Sequence, residues 1–402
     1  MKKVFLFTHS FPFTEVGESF IEVELKIVSL LNVDLSIIPL YSLSTPKAIP
    51  EKIKIIPDLF NTSFFRKIVI FFSVFINPMF YGLFIYKKSI YKKPGNWYNA
   101  IKYLYGGLLV KDFLVRNKTL FPPDSIFLSF WFNYTALGFA LAKEVIHFKS
   151  CKFYSRAHRY DLYGEEAGIF IPYRERMLSA LDMIYPGSDD GVRFLTKNYP
   201  AYSSKIELAR LGVMPISMNG RIRKKSDISL ISCSNIVPVK RVDLIFTSIN
   251  KFCENNSEFN VSWLHIGNGV EMKNLGEQVT KEKVSNLTVS LPGYKHISEI
   301  EDILGKNEFD AFLNFSSSEG LPVTLMMAIS AGIPVIATDA GGNKEIVKKE
   351  TGRLLSLSIS QAEFSDAVLF CRDNYKLRES ALLYYHNNFS AINNYTNFYE
   401  KL

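Results

Sequence analysis

The chain alternates short apolar runs with amphipathic stretches, a pattern typical of parallel sheets covered by helices. Residues 4–8 and 34–39 are predicted as buried strands, and residues 18–31 as the helix between them. Further strands are predicted at residues 126–130, 152–155 and 182–185, and further helices at 134–145 and 191–199. This half of the chain is therefore predicted to form one α/β domain that ends near residue 214.

A polar, basic stretch at residues 215–227 interrupts this alternation and is predicted to be a linker. A second alternation follows, with strands predicted at 228–233, 261–266, 287–291, 312–315 and 334–337 and a helix at 242–252. The sequence thus predicts a second parallel α/β domain over residues 228–388.

Residues 312–347 have the order strand, loop, helix, strand, glycine turn and helix, which is the layout of a nucleotide-binding half-site. Pro322 is placed at the first helical position, where its fixed φ is suitable. The free N–H groups and the positive end of this helix favour a phosphate. Glu319 precedes the helix by one turn, and it would either face a hydroxyl-rich neighbour such as a sugar or cap the helix.

This segment, FLNFSSSEGLPVTLMMAISAGIPVIATDAGGNKEIV, resembles the signature of retaining, GT-B-fold glycosyltransferases of family 4. The resemblance implies two Rossmann-like domains facing a central cleft, with a tail (389–402) that crosses back to the first domain. It also implies that Glu319 contacts the donor sugar and that the amides of Gly320 and Leu321 hold its diphosphate. The family has a second Glu eight positions after the first, which binds the ribose, and this chain has Met327 there.

Two further loops of the second domain resemble donor-binding elements of the same family. In SCSNIVPVKR (232–241), Lys240 corresponds to the family's diphosphate-binding Lys, and Asn235 stands where the family usually has an Arg. Arg241 is predicted to supply the second positive charge, although two solvated surface charges would also fit the spacing. Tyr294 lies in a Pro-Gly-Tyr loop. It would either pack beside the nucleobase or have a purely structural role.

The first domain carries the remaining candidates. The cluster SRAHRYD (155–161) resembles the family's RxHxxD element, and this implies that His158 contacts the donor sugar, with Arg156 and Asp161 in support on the acceptor side. Without the resemblance, His158 and Asp161 would more simply share a structural hydrogen bond. The loop at residues 16–22 resembles the family's first glycine loop, in which Gly17 would lie under the donor phosphates and Glu18 beside the acceptor.

The net charge of +8 and the pI near 9.0 suggest an acidic partner. Residues 59–111 contain no acidic side chain and combine eight basic residues with many aromatic ones. This stretch is predicted to lie on an anionic membrane surface, with an ordinary buried helix as the alternative. Residues 68–86 are almost long enough to cross a bilayer, but Asn77 and Pro78 interrupt them, and a crossing would split the first sheet. No nucleic-acid-reading motif is present.

Four scattered cysteines without metal or disulfide spacing predict a reduced, cytosolic protein. The leading hypothesis is a retaining, metal-independent transferase, without a cofactor, that works at the inner face of the membrane. It would move a sugar from a nucleotide sugar, most simply a UDP-sugar, to a lipid-linked or growing glycan such as an O-antigen, capsule or exopolysaccharide intermediate. The alternatives are a catalytically inactive homologue that serves as a scaffold, because of Met327, and a sugar-nucleotide epimerase.

Overall fold

The computed structural model describes residues 2–13, 18, 21–42, 45–56, 62–86, 93–164, 170–217, 227–306 and 309–402. The chain forms two compact units: Met1–Arg210 together with Tyr395–Leu402, and Leu211–Asn394. These divisions were predicted at residues 214 and 389. Most of its linker, residues 218–226, lies outside the described residues.

The first unit is a six-stranded parallel sheet with helices around it. Its strands are β1 (Lys2–Thr8), β2 (Val33–Pro39), β3 (Lys54–Ile55), β4 (Ile126–Ser129), β5 (Lys152–Ala157) and β6 (Met183–Pro186). Its helices are α1 (Ile21–Val28), α2 (Phe64–Ile76), α3 (Pro78–Tyr86), α4 (Pro94–Arg116), α5 (Tyr134–Ala142), α6 (Arg159–Leu162), α7 (Arg174–Ala180) and α8 (Asp189–Asn198).

The second unit is also built on six parallel strands. They are β7 (Asp227–Cys233), β8 (Asn260–Ile266), β9 (Leu287–Gly293), β10 (Ala311–Asn314), β11 (Val335–Thr338) and β12 (Gly352–Leu355). The helices are α9 (Val242–Asn255), α10 (Met272–Glu282), α11 (Ile297–Lys306), α12 (Val323–Ser330), α13 (Asn343–Ile346), α14 (Gln361–Asp373), α15 (Lys376–Asn388) and α16 (Ala391–Lys401), of which α16 begins here and ends in the first unit.

Both sheets have the strand order of doubly wound nucleotide-binding folds. The order is β3-β2-β1-β4-β5-β6 in the first unit and β12-β11-β10-β7-β8-β9 in the second. In such sheets the chain leaves neighbouring strands in opposite directions at one point, which opens a crevice at the carboxyl ends of the strands. That point lies between β1 and β4 in one unit and between β7 and β10 in the other. The predicted fold class is confirmed.

The apolar stretch at residues 68–86 forms two helices instead of one. α2 ends at Ile76, Asn77 is extended with ψ of 125°, and α3 begins at Pro78. The residue before a proline is pushed out of the helical region by the proline ring, which explains the break. Within the described residues, no helix has both the length and the apolar character that a membrane crossing requires.

Arg156, expected on the acceptor side, lies instead in the core of the first unit. Its side chain is 2% exposed and forms an ion pair of 2.6 Å with Glu24 on α1. The hydroxyl of Tyr399 donates to the other oxygen of Glu24 at 2.6 Å, and the guanidinium lies 4.4 Å from the centre of the Phe398 ring. Arg156 therefore joins the sheet, α1 and the last helix, and its contacts are those of a structural residue.

We expect Arg156→Ala to lower the free energy of unfolding of the first unit by about 3–5 kcal/mol, because the Glu24 carboxylate would remain buried without its partner. Urea titrations in a Trp263→Phe background report on this unit, since Trp97 and Trp131 then supply the fluorescence. The control is Arg193→Ala, which breaks a solvent-exposed pair with Asp190 and should cost less than about 1 kcal/mol. Equal losses for the two variants would contradict this role.

Candidate functional site

Two loops meet at the switch point of the second unit. One follows β7 and contains a short 3-10 turn (Pro238–Lys240), and the other follows β10 and leads to α12. The N–H of Ser317 donates to the carbonyl of Val239 at 2.9 Å and joins the two loops. The candidate donor-side residues Lys240, Glu319, Gly320 and Leu321 lie on these loops, so the structure brings them together as the sequence predicted.

Three hydrogen bonds hold the side chain of Glu319 in this site. Its Oε1 accepts from Lys240 Nζ at 2.5 Å, from Ser316 Oγ at 2.7 Å and from Asn314 Nδ2 at 3.2 Å. The side chain is 7% exposed, and Oε2 accepts no hydrogen bond from any described residue. One carboxylate oxygen is therefore locked in place while the other remains available to a hydroxyl group, which is a geometry suited to a sugar.

The backbone amides of Gly320 and Leu321 are open to a ligand. Neither N–H donates a hydrogen bond within the part of the chain that the structure describes. They immediately precede α12, whose N-terminal end favours anions. Pro322 is the residue before the first helical turn, with φ of −74° and ψ of 116°, and not the first helical residue that the sequence predicted.

The loop that contains Gly341 and Gly342 packs closely against the loop that contains Glu319 and Gly320. Gly341 has φ of +53°, and a Cβ atom there would lie 2.0 Å from the carbonyl oxygen of Glu319. A Cβ atom on Gly342 would lie 1.8 Å from the carbonyl oxygen of Gly320. Both separations are far below van der Waals contact, so the two loops can pack this closely only with glycine at these positions.

Arg241 has a different position from the one expected. Its backbone is left-handed, with φ of 49°, and its guanidinium donates to the carbonyls of Phe315 at 2.6 Å and Leu357 at 2.8 Å. The remaining terminal nitrogen is buried with no partner among the described residues, and burial lowers the pKa of the group. Arg241 thus fastens its loop to the ends of the sheet, whereas Lys240 forms an ion pair with Glu319.

The other donor-side candidates differ in exposure. Asn235 is exposed on the loop after β7, and Tyr294, which is 62% exposed, follows the edge strand β9. Met327 is 3% exposed on α12. The resemblance implied a ribose-binding Glu at this position, and a thioether is at most a weak hydrogen-bond acceptor. Gly17 lies outside the described residues.

In the first unit, the carboxylate of Glu18 is saturated. It accepts from the backbone N–H groups of His9, Ser10 and Phe11 at 2.8–3.0 Å and from Trp131 Nε1 at 2.7 Å. Four donors leave it little capacity for an acceptor. Glu18, expected beside the acceptor, therefore shapes the loop after β1 and orients the Trp131 ring.

His158 follows β5 and lies between two aromatic rings. Its ring stacks on Phe130 at 4.8 Å and meets Trp131 edge-on at 5.2 Å. Burial, and then the nearby charge of Arg156, lowers the pKa of His158 to about 3, so the imidazole is neutral at physiological pH. A neutral imidazole can donate and accept hydrogen bonds with sugar hydroxyls but is not a strong general acid.

Asp161 supports the same loop from within. Its carboxylate accepts from the backbone N–H groups of His158 and Phe132, both at 2.6 Å, and so ties the loop after β5 to the loop after β4. Burial raises the pKa of Asp161 to about 7. The pair of His158 and Asp161 is therefore a structural hydrogen bond through the backbone, which was the simpler interpretation of their spacing.

A cavity of about 430 Å³ opens beside these residues in the first unit. Polar and aromatic side chains line it, and they include His9, Glu18, Lys102, Trp131 and Asn133. His9, Trp131 and Asn133 were not predicted as site residues. His9 directly follows β1, and Trp131 and Asn133 lie in the loop after β4, the other strand at the switch point. Their position in the loops after these two strands was the available signal.

Part of the chain is similar to known proteins. A family model described as "Glycosyl transferases group 1" matches residues 217–381, which make up most of the second unit. The GtfA subunit of the UDP-N-acetylglucosamine--peptide N-acetylglucosaminyltransferase of Streptococcus agalactiae is 32% identical over 122 residues, 30% of this chain and 22% of that protein. The O-antigen biosynthesis glycosyltransferase WclY of Escherichia coli is 29% identical over 108 residues, 27% of this chain and 28% of that protein. The chain thus spans well under half of the length of both relatives.

Solved structures establish the fold. The lipopolysaccharide outer core galactosyltransferase WaaB superposes with a TM-score of 0.65 over 100% of both chains, at 14% identity. HepE of Anabaena, in complex with UDP and glucose, gives a TM-score of 0.65 over 100% of this chain and 99% of that chain, at 12% identity. The GT-B fold of two Rossmann-like domains, expected from the sequence, is confirmed.

We expect Gly342→Ala to displace the loop of Glu319 and Gly320, since the new Cβ atom has no space beside the Gly320 carbonyl. Affinity for a nucleoside diphosphate, measured by calorimetry, should fall at least about tenfold, because the two open amides would move out of place. The control is Gly276→Ala on α10, where nothing lies within 4 Å of the added Cβ atom and helix propensity should raise stability slightly. Unchanged affinity in Gly342→Ala would refute this role of the glycine pair.

The lowered pKa of His158 predicts a pH dependence of stability. The folded-state pKa of about 3 lies below the ordinary value of 6.5, so below pH 6.5 the unfolded chain binds a proton that the folded chain does not. Stability is therefore lost as the pH falls from about 6.5 towards 3. Between pH 7 and pH 5, the first unit of the wild type should lose about 1–2 kcal/mol more than that of His158→Gln.

Urea titrations at both pH values, again in the Trp263→Phe background, measure this difference. His296→Gln, at an exposed position of the second unit, is the control and should keep the wild-type dependence. The same loss in His158→Gln as in the wild type would show that another group causes it.

Proposed function

We propose that this protein is a retaining, metal-independent glycosyltransferase of family 4 that transfers a sugar from a nucleoside-diphosphate sugar to a glycan acceptor. The second unit binds the donor and the first unit binds the acceptor. The observation that carries the proposal is the grouping of a half-free carboxylate (Glu319), a paired cation (Lys240) and two open amides (Gly320 and Leu321) at one switch point.

Each group has a part in this chemistry. The amides of Gly320 and Leu321, with the positive end of α12, hold the diphosphate and stabilise the charge that grows on it as the glycosidic bond breaks. Lys240 adds a charge-assisted contact to the same phosphates. Oε2 of Glu319 accepts a hydrogen bond from a hydroxyl of the transferred sugar and fixes its orientation. The leaving phosphate takes the proton of the acceptor, and no protein base is needed.

The donor is proposed to be a UDP-sugar and the acceptor an intermediate of a cell-surface polysaccharide such as an O-antigen. The name of the matching Streptococcus agalactiae relative includes UDP-N-acetylglucosamine, and that of the Escherichia coli relative includes O-antigen biosynthesis. We also propose that the protein acts at the cytoplasmic face of a membrane and that residues 59–111 contact anionic lipid there. Its support is the absence of acidic residues in that stretch of the sequence.

The test is nucleotide release from a panel of UDP-, GDP-, ADP- and dTDP-sugars by the purified protein, with and without a membrane lipid extract. We expect release from a UDP-sugar, stimulated by the extract and unaffected by EDTA, and NMR of the product should show the anomeric configuration of the donor. If no sugar nucleotide of the panel releases its nucleotide and no nucleotide raises the Tm, the inactive scaffold is favoured.

Glu319→Gln should lower the rate of transfer by on the order of 10²–10³-fold, because an amide cannot accept from Lys240 and Ser316 as the carboxylate does. UDP affinity should change much less, since the amides that hold the diphosphate remain. Glu277→Gln, at an exposed position on α10, is the matched control and should leave transfer unchanged. A fully active Glu319→Gln protein would exclude this role.

The substitution Met327→Glu distinguishes an enzyme with weakened donor binding from an inactive homologue. A second carboxylate that reaches the ribose would raise donor affinity by about thirty- to thousandfold, the factor that its absence costs. Donor affinity is measured by calorimetry with UDP, and transfer by release from the preferred donor. A gain in both supports a working enzyme with reduced donor affinity. A stable Met327→Glu protein that still lacks donor binding would oppose the proposed function.

A further inference from the structure

Two polar side chains are buried between β10 and Glu319. Asn314, the last residue of β10, is 7% exposed, and Ser316 is 1% exposed. Both direct a hydrogen-bond donor at the same carboxylate oxygen. Ser316 Oγ donates to Oε1 of Glu319 at 2.7 Å, and Asn314 Nδ2 donates to it at 3.2 Å. Buried polar groups need partners, and the partner that these two share is the carboxylate of the candidate site.

The segment that carries these two donors is fixed at each of its residues. Asn314 Oδ1 accepts from the N–H of Ser316 at 3.0 Å, so the amide of Asn314 turns its NH2 group towards the carboxylate. The carbonyl of Phe315 accepts from Arg241 Nε at 2.6 Å, and the carbonyl of Ser316 accepts from Thr338 Oγ1 at 2.6 Å. The two donors therefore lie on a well-supported loop, as the precise orientation of a functional group requires.

The two structural carboxylates of the first unit are held differently. Glu18 and Asp161 accept hydrogen bonds on both of their oxygens. In Glu319, all three donors reach Oε1. A carboxylate that only held a loop together would gain by using both oxygens, so the one-sided arrangement indicates a role for Oε2.

Lys240 alone would not orient this carboxylate. Its ammonium is a point charge on a flexible four-carbon stem, and its side chain is 25% exposed, whereas that of Glu319 is 7% exposed. A point charge attracts both carboxylate oxygens, but Ser316 and Asn314 donate to Oε1 only. The two neutral donors thus set the rotation of the carboxylate and leave Oε2 without a donor.

We propose that Ser316 and Asn314 are positioning residues for transfer: they hold Oε1 of Glu319 so that Oε2 meets a hydroxyl of the donor sugar in one orientation. They act through Glu319, and the positive charge of Lys240 stays available to the diphosphate. The inference rests on the proposed function and adds to it the two residues that align the carboxylate in the transition state.

The test measures kcat at a saturating concentration of the UDP-sugar that is turned over, with UDP affinity from calorimetry in parallel. Asn314→Asp keeps the size of the side chain and the acceptor for the N–H of Ser316. It removes the donor and places a second negative charge beside Glu319. We expect kcat to fall about ten- to hundredfold, which corresponds to the loss of one charge-assisted hydrogen bond.

Asn250→Asp is the matched control. Asn250 lies on α9, is also 7% exposed, accepts from the N–H of Val284 at 3.1 Å and donates to Glu254 Oε1 at 3.1 Å. The substitution therefore makes the same chemical change beside another glutamate, away from the candidate site. Both variants should lose stability, but only Asn314→Asp should lose kcat.

Ser316→Ala separates positioning from a general effect on the loop. It removes a hydroxyl and adds no charge, so kcat should fall about tenfold or more. UDP affinity should stay within about threefold of the wild type, since the amides of Gly320 and Leu321 remain in place. The control is Ser125→Ala in the first unit, which removes an equally buried hydroxyl that donates to the carbonyl of Pro122 at 2.6 Å. It should leave kcat and UDP affinity unchanged.

A wild-type kcat in either Asn314→Asp or Ser316→Ala would overturn the inference, as would an equal loss of kcat in Asn250→Asp. A loss of UDP affinity as large as the loss of kcat in Ser316→Ala would also overturn it, because the whole loop would then have moved. These results leave the proposed function standing, since the wild type turns over its donor. If the wild type turns over no sugar nucleotide, the proposed function fails and the inference fails with it.

Discussion

The parallel sheets of the two units impose the constraint on which every candidate site depends. Parallel strands bring their carboxyl ends to one edge, and the reversal of strand order leaves a crevice there that the connecting helices do not fill. Glu18 and Trp131 follow the strands at that point in the first unit, and Lys240 and Glu319 follow those in the second. The topology of each sheet thus determines where these loops lie, and the side chains on the loops determine what each crevice can bind.

Three buried carboxylates show how hydrogen bonding separates structural from functional roles. Glu18 and Asp161 accept from backbone or indole N–H groups that hold loops together. Glu319 has its three donors on one oxygen and keeps the other free. The free oxygen of Glu319 is not among the buried polar atoms that lack a partner, so it is the oxygen of this carboxylate that water or a ligand can reach.

The same principle applies to the cations. Arg156 and Arg241 lie where the sequence suggested ligand contacts, but carboxylate, aromatic and carbonyl partners occupy them within the fold. Lys102, which the sequence analysis counted only as part of a basic stretch, is left without a carboxylate partner among the described residues and lines two cavities. A cation that forms no ion pair within the fold can contact an anionic ligand.

The sequence by itself determined the features that depend on local spacing. The alternation of strands and helices predicted the fold class. The order of loop, proline and helix predicted that Glu319 lies in a loop before a helix, and Asn77 and Pro78 predicted the break between α2 and α3. The strands β3 and β12 were missed, because β3 has only two residues and β12, with the sequence GRLL, lacks the continuous apolar run of the other short strands.

Only the tertiary structure decided which polar side chains are free. Arg156, Glu18 and Arg241 each have a partner more than a hundred residues away along the chain. These partners are Glu24, Trp131 and Leu357. The position of Lys102 beside two cavities likewise depends on how α4 packs against α2 and on the loops after β1 and β2. Periodicity reports which face of an element is buried, whereas a hydrogen-bond partner from a distant segment is set by packing that no local pattern encodes.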